Sequence, residues 1–183
     1  MYGGEIKEVL KSDPFTKKKF QGVFSTKNLP SRVENNSLYV LHIKNKEDED
    51  IGHWTSIWTY GNPSTCFYYD SFGQPPPISI CSNLLATCNL IEYSDIILQN
   101  ILTITCGQSV CLQAMLLARG FTPYQIISHF QDIKRRGYLR FDSYVSLIIN
   151  SLHTLKDAPL LHPDLFPPKK KYKNGTKKEN VFH

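Results

Sequence analysis

His53-Trp-Thr-Ser-Ile-Trp-Thr-Tyr60-Gly-Asn-Pro-Ser-Thr65-Cys-Phe-Tyr-Tyr-Asp70 is the stretch that decides the fold. Trp54 to Tyr60 alternates polar and apolar side chains imperfectly and is rich in aromatic and β-branched residues, a strand composition. Gly61-Asn62-Pro63-Ser64 is a turn and Thr65 to Tyr69 a second strand, so together they predict an antiparallel hairpin. His53 lies just before the first strand and Asp70 just after the second. Those two ends of a hairpin are neighbours in space. Spacing alone therefore predicts that His53 and Asp70 meet.

Working outward, Leu38 to Ile43 is nearly all apolar and reads as a central strand. Lys44 to Asp50 is a charged, exposed loop. Further upstream, Glu5 to Lys11 has apolar residues at 6, 9 and 10 and predicts a short surface helix, stopped by Asp13-Pro14. Gly22, Asn28 and Pro30 mark irregular structure. Downstream, Ile78 to Leu90 is weakly helical and Asp95 to Leu98 is a short strand candidate. Gln99-Asn-Ile-Leu-Thr-Ile-Thr-Cys106-Gly107 delivers a cysteine to the start of an amphipathic helix running to Arg119, with Gly120 as its stop. Thr122-Pro123 opens a helix to about Asp132, and Asp142 caps another over residues 143–152. Leu160 to Pro168 is Pro-rich and extended. Helix, hairpin-linked strands, then helices predicts an α+β domain, not a doubly wound sheet.

The chain has 183 residues, 41% hydrophobic and 20% charged, which suits one soluble domain over residues 1–168. No apolar run approaches the roughly 18 residues of a membrane span. Met1 to Lys7 holds no apolar signal core, so a reducing compartment is expected. The cysteines are 66, 81, 88, 106 and 111. Their odd number argues against a disulfide framework, and no C-x-x-C or paired zinc spacing occurs, so no metal is expected. Most should be buried small hydrophobes. The net charge of +5 resides in residues 169–183, where six lysines face one glutamate. That tail lacks a hydrophobic face and should be disordered alone.

A cysteine at the first turn of a helix sits at the positive end of the dipole, where thiolate is favoured. A thiol protease also needs an imidazole, a group that fixes its tautomer, and donors for the oxyanion of the tetrahedral intermediate. Cys106 supplies the nucleophile and one backbone donor, His53 the base, Asp70 the orienting carboxylate and Gln99 a second donor. Gly107 leaves the approach unobstructed, and Trp54 shields the imidazole from water. Each residue alone is as much at home in a core or a turn; their conjunction carries the reading.

Gly52-His53-Trp54, Tyr69-Asp70-Ser71-Phe72-Gly73, and Gln99 seven residues before Cys106-Gly107 resemble the adenovirus-type maturation protease (adenain) family. They are more similar still to its adintovirus, Polinton/Maverick and adomavirus relatives. Phe20-Gln-Gly-Val-Phe24 with Leu29-Pro30, Cys106-Gly-Gln108 with Cys111, and residues 142–149 extend the likeness over roughly residues 4 to 150. Asp70 stands where adenovirus enzymes have Glu, as it commonly does in SUMO-deconjugating proteases, and the segment between Asp70 and Gln99 is shorter.

The resemblance implies a papain-superfamily, adenain-like α+β fold with a central mixed sheet flanked by helices. It implies His53, Asp70, Gln99 and Cys106 as the catalytic set, and a monomeric endopeptidase that processes viral capsid or core precursors in the virion and host nucleus. Viral DNA and an activating peptide are implied cofactors; Cys81 or Cys88 could pair with such a peptide. Lys17, Lys18, Lys19 and the tail lysines Lys169, Lys170, Lys171 and Lys173 are candidates for non-specific contacts with double-stranded DNA, or a nuclear-localisation patch. A ubiquitin- or SUMO-type isopeptidase would share the site and differ in the groove. A non-enzymatic DNA-associated virion protein would keep the lysine tail and lack a reactive thiol.

Overall fold

The computed structural model describes residues 1–44, 52–61 and 64–154. The loop expected at Lys44 to Asp50 lies almost wholly outside them, as do the extended segment from Leu160 and the lysine tail. The chain runs α1 (Gly3–Ser12), β1 (Phe20–Ser25), β2 (Leu38–Lys44), β3 (Gly52–Tyr60), β4 (Thr65–Tyr69), α2 (Ile78–Leu85), β5 (Leu90–Tyr93), α3 (Cys106–Ala118), α4 (Pro123–Arg135) and α5 (Tyr138–Thr154). The architecture is α+β around a five-stranded mixed sheet in the order β1-β2-β3-β4-β5. β2, β3 and β4 are antiparallel, with β1 and β5 added parallel at the two edges.

Both faces of the sheet are covered, which is why its inner strands read as nearly continuous apolar runs. Side chains alternate between two cores. Leu38, Val40, Trp54, Trp58, Phe67 and Tyr69 meet α1, α3, α4 and α5 on one face. Tyr39, Leu41, Ile57, Cys66 and Tyr68 meet Ile80 and Leu84 of α2 on the other. α3 is enclosed by β3, α1, α4 and α5. Eleven of its 13 residues are buried, so it is a core helix and not the amphipathic one expected.

Several boundaries differ from the sequence reading. The residues taken as irregular around Gly22 form β1. Gly22 is the point where the register with β2 slips, at φ +150°, and a side chain there would press on the Phe24 ring at 3.2 Å. A breaker in the sequence is thus a bulge inside a strand. α1 is the short surface helix expected, with Ile6, Val9 and Leu10 as its buried face. α2 stops at Leu85, and the expected strand at Asp95 to Leu98 is replaced by β5, five residues upstream. Residues 95–98 instead run beside the 70–73 turn, where the Leu98 N–H donates to the Ser71 carbonyl at 2.8 Å. α5 begins at Tyr138 because Gly137, at φ +117°, breaks the chain after α4. Asp142 is therefore inside the helix and not its cap.

The cysteine reading is corrected too. Cys66 and Cys88 form a disulfide. β5 pairs in parallel with β4, Thr65 opposite Leu90, and this brings Cys88 beside Cys66. Spacing along the chain carries no trace of that closure. Cys88 is thereby committed within the chain, while Cys81, Cys106 and Cys111 are free.

Candidate active site

β3, the turn after β4 and the start of α3 converge on a groove of about 750 Å³. His53, Gln99, Cys106, Trp54, Phe72, Ile101 and Ile104 are among its lining residues. His53 lies within β3, which begins two residues earlier than expected. Its Nε2 is 2.9 Å from Asp70 Oδ1, and Asp70 is 3% exposed. The same oxygen accepts the Phe72 N–H at 2.6 Å, so the turn after β4 fixes the carboxylate before the imidazole reaches it. The Phe72 ring lies against His53 at 4.7 Å between centroids. Trp54, which the sequence reading put against the imidazole, stacks on His42 at 4.3 Å and donates from Nε1 to the Met1 carbonyl at 3.0 Å. Phe72 is thus the aromatic shield of His53.

Cys106 is the first residue of α3, and the helix lacks a side-chain cap. Thr105 occupies the cap position, but its hydroxyl turns away to Asp142 Oδ1. The first amides of the helix therefore stay open toward the sulfur. Burial alone would raise the Cys106 thiol. His53 and the backbone amides of Trp54 and Gly107 reverse this and hold it below the ordinary thiol range. Burial likewise opposes charge on His53. The hydrogen bond it donates to Asp70, the partnership with Cys106 and both negative charges overcome it and raise the imidazole to about 9. The two shifts describe a thiolate–imidazolium pair. Cys111, one turn on, is fully buried and its thiol is pushed well up.

Gln99 is 1% exposed, an unusual place for an amide without partners. Its Oε1 accepts the Ser71 hydroxyl at 2.8 Å and its Nε2 donates to the Thr103 carbonyl at 2.8 Å. The Ser71 carbonyl also receives the Gln99 N–H at 3.0 Å. The amide orientation is settled by these contacts, and one Nε2 hydrogen remains for the groove that Gln99 lines. Gly107 serves packing and not access. A methyl there would sit 2.9 Å from Met1 Cβ and 3.4 Å from atoms of Ile6 and Trp54.

The structure thus brings His53, Asp70, Gln99, Cys106, Gly107 and Trp54 to one end of the sheet. Lys17 and Lys18 are exposed in the turn after α1. Lys19 lies over the Trp58 ring at 5.1 Å and donates to Asn36 Oδ1. Lys169, Lys170, Lys171 and Lys173 lie outside the described residues. Sequence reasoning missed Ser71, Phe72, Thr103, Thr105 and Asp142. Ser71 and Phe72 adjoin Asp70 and could have been suspected; nothing in the sequence ties Asp142 to the site.

No family model matches the chain, nor does any curated protein. Among solved structures, the crystal structure of ASFV pS273R protease superposes with a TM-score of 0.50 at 15% identity, covering 70% of this chain. A selenomethionine crystal structure of the same protease gives 0.38 at 17%, over 50% of this chain and 38% of that one. The chain spans about 61% of the length of the first. At that identity the likeness shows the fold alone: a mixed α+β structure shared with that protease.

Proposed function

We propose that this chain is a viral cysteine endopeptidase of the adenain-like kind that cleaves capsid or core precursor proteins during virion maturation. The observation that carries the reading is the His53–Asp70 contact of 2.9 Å beside an uncapped helix that begins at Cys106. A peptide lies extended in the groove. The Cys106 thiolate attacks the scissile carbonyl and forms an S–C bond, and the oxyanion is held by the Cys106 N–H and Gln99 Nε2. His53 gives its proton to the leaving amine as the C–N bond breaks. Water then attacks the thioester, His53 takes its proton, and the carboxylate product leaves with Cys106 restored. Asp70 keeps the imidazole in one tautomer throughout. Exposed Lys17 and Lys18, with the tail lysines, contact double-stranded DNA without sequence preference in this reading.

The test is cleavage of a proteome-derived peptide library, read by mass spectrometry of new N-termini. The wild type should cut a defined set and Cys106→Ala none. Cleavage that survives Cys106→Ala refutes the assignment, as does an electrophile that labels Cys81 and spares Cys106. DNA binding is tested separately by its salt dependence in the full chain.

A further inference from the structure

We infer that Asp142 is a positioning residue for the oxyanion hole, tying its two halves to one point on α5; this rests on the endopeptidase reading above. Asp142 is 5% exposed. One carboxylate oxygen accepts the Thr105 hydroxyl, immediately before Cys106. The other accepts the Asn100 N–H at 3.2 Å, immediately after Gln99. The two ends of the loop 99–106 are thereby held by one carboxylate.

The loop's own bonds show why this matters. The Asn100 carbonyl accepts the Thr103 N–H at 3.1 Å and the Thr103 hydroxyl at 2.8 Å. The Asn100 side chain accepts the Leu102 N–H at 2.9 Å, and the Thr103 carbonyl accepts Gln99 Nε2. These bonds close the loop on itself; Ser71 holds its first end at Gln99, the Ser109 N–H of α3 holds the Thr105 carbonyl at 2.9 Å, and Asp142 joins both ends to α5. Three loop side chains, Ile101, Leu102 and Ile104, are at least 80% exposed and supply no packing anchor. Asp142 also engages the hydroxyl that would otherwise cap α3. It therefore keeps the helix amides open and sets the distance between the Cys106 N–H and the Gln99 amide at once. Misplacing a donor by about 1 Å costs a rate on the order of a hundredfold.

The experiment compares two small reagents on the full chain. p-Nitrophenyl acetate acylates Cys106 through a tetrahedral oxyanion and releases a burst of nitrophenolate. Iodoacetamide alkylates the same sulfur by direct displacement and forms no oxyanion. In Asp142→Ala the acylation rate should fall about tenfold to a hundredfold while alkylation stays within about threefold. Asp142→Asn, which can accept from Asn100 and donate to the Thr105 oxygen, should recover most of the ratio. Combined with Gln99→Ala, Asp142→Ala should cost less than the product of the single losses. If Asp142→Ala does not fold, the same fall in ratio is read on Thr105→Val. An unchanged ratio, or a strictly multiplicative double variant, overturns the inference and leaves the endopeptidase reading standing. If wild-type Cys106 gives no burst, or Cys106→Ala keeps it, the endopeptidase reading fails and takes this inference with it.

Discussion

Asp70→Asn separates charge from geometry at the candidate site. Asparagine can keep its oxygen toward His53 Nε2–H and the Phe72 N–H, so the tautomer is held while the negative charge goes. In the wild type the imidazole stands at about 9 against an ordinary 6.5. That rise is worth roughly 3.4 kcal/mol in favour of the imidazolium. A full charge about 4 Å away contributes on the order of 4 kcal/mol at the effective dielectric of a site near the surface. Cys106 supplies part of the rise, so Asp70→Asn should lower His53 by at least about one pH unit and not restore it fully.

Iodoacetate reads this directly. Its alkylation of Cys106 needs the thiolate, and its own negative charge favours an imidazolium beside the sulfur. The wild-type rate should follow a bell in pH, with the acid limb set by Cys106 below the ordinary thiol range and the alkaline limb at about 9. In Asp70→Asn the alkaline limb moves down, and the rate at pH 8.5 drops by up to about tenfold. Stability follows the same sign. A histidine whose folded affinity for the proton is raised stabilises the fold fully below 6.5 and loses that contribution as pH climbs through about 9. The stability gap between wild type and variant should therefore be widest below 6.5 and close above 9. An alkaline limb that stays at 9 in Asp70→Asn refutes the reasoning, because the carboxylate would then not be what holds the proton.

Other expectations follow from the same coordinates. Gln99→Ala should cut acylation by p-nitrophenyl acetate by about a hundredfold or more while leaving iodoacetamide alkylation within about threefold, as loss of one oxyanion donor requires. Ser71→Ala frees the Gln99 amide to turn over, and should show the same selective loss at about a tenth of that size; equal losses in both reactions would place Ser71 elsewhere in the chemistry. Cys88→Ala opens a cross-link between residues 22 apart and should cost about 3 kcal/mol in denaturant unfolding, with Cys106 still alkylated at its native rate. Gly107→Ala drives a methyl against Met1 and Trp54 and should destabilise by about 1–3 kcal/mol, seen as a lower midpoint with an unchanged slope.

What was legible in the sequence was local, or tied to local geometry. A hairpin has adjacent ends, so His53 and Asp70 could be paired from a turn signal and two strand runs. The Cys106 helix carried its own start and stop. The parallel edge strands were not legible. β1 holds a glycine that works as a bulge, and β5 is four residues long; each is made a strand by a neighbour distant in sequence. The Cys66–Cys88 bond has the same cause. Asp142 was misread as a helix cap because an aspartate before an apolar run is the ordinary capping signal, and only the break at Gly137 places it inside the helix.

The burial of Gln99 is the strongest internal argument that the loop before α3 was shaped for chemistry. An apolar residue would fill the same space without needing partners, and a buried amide with unmet hydrogen bonds costs about 1–3 kcal/mol. Here the amide is met on both sides, by Ser71 next to the carboxylate Asp70 and by Thr103 within its own loop. Those contacts use the oxygen and one of the two N–H groups. The loop is in turn held to α5 through Asp142 at Asn100 and Thr105. A purely structural amide would have its last N–H satisfied by protein; this one lines the groove beside an uncapped helix and a low-lying thiol. The chain fixes a donor in two dimensions and leaves the third for a substrate's oxygen. That predicts Gln99→Leu, which leaves the buried Ser71 hydroxyl and the Thr103 carbonyl without their partner, to cost about 1–3 kcal/mol while losing acylation by about a hundredfold. A Gln99→Leu variant that lost stability and kept acylation would return Gln99 to the core.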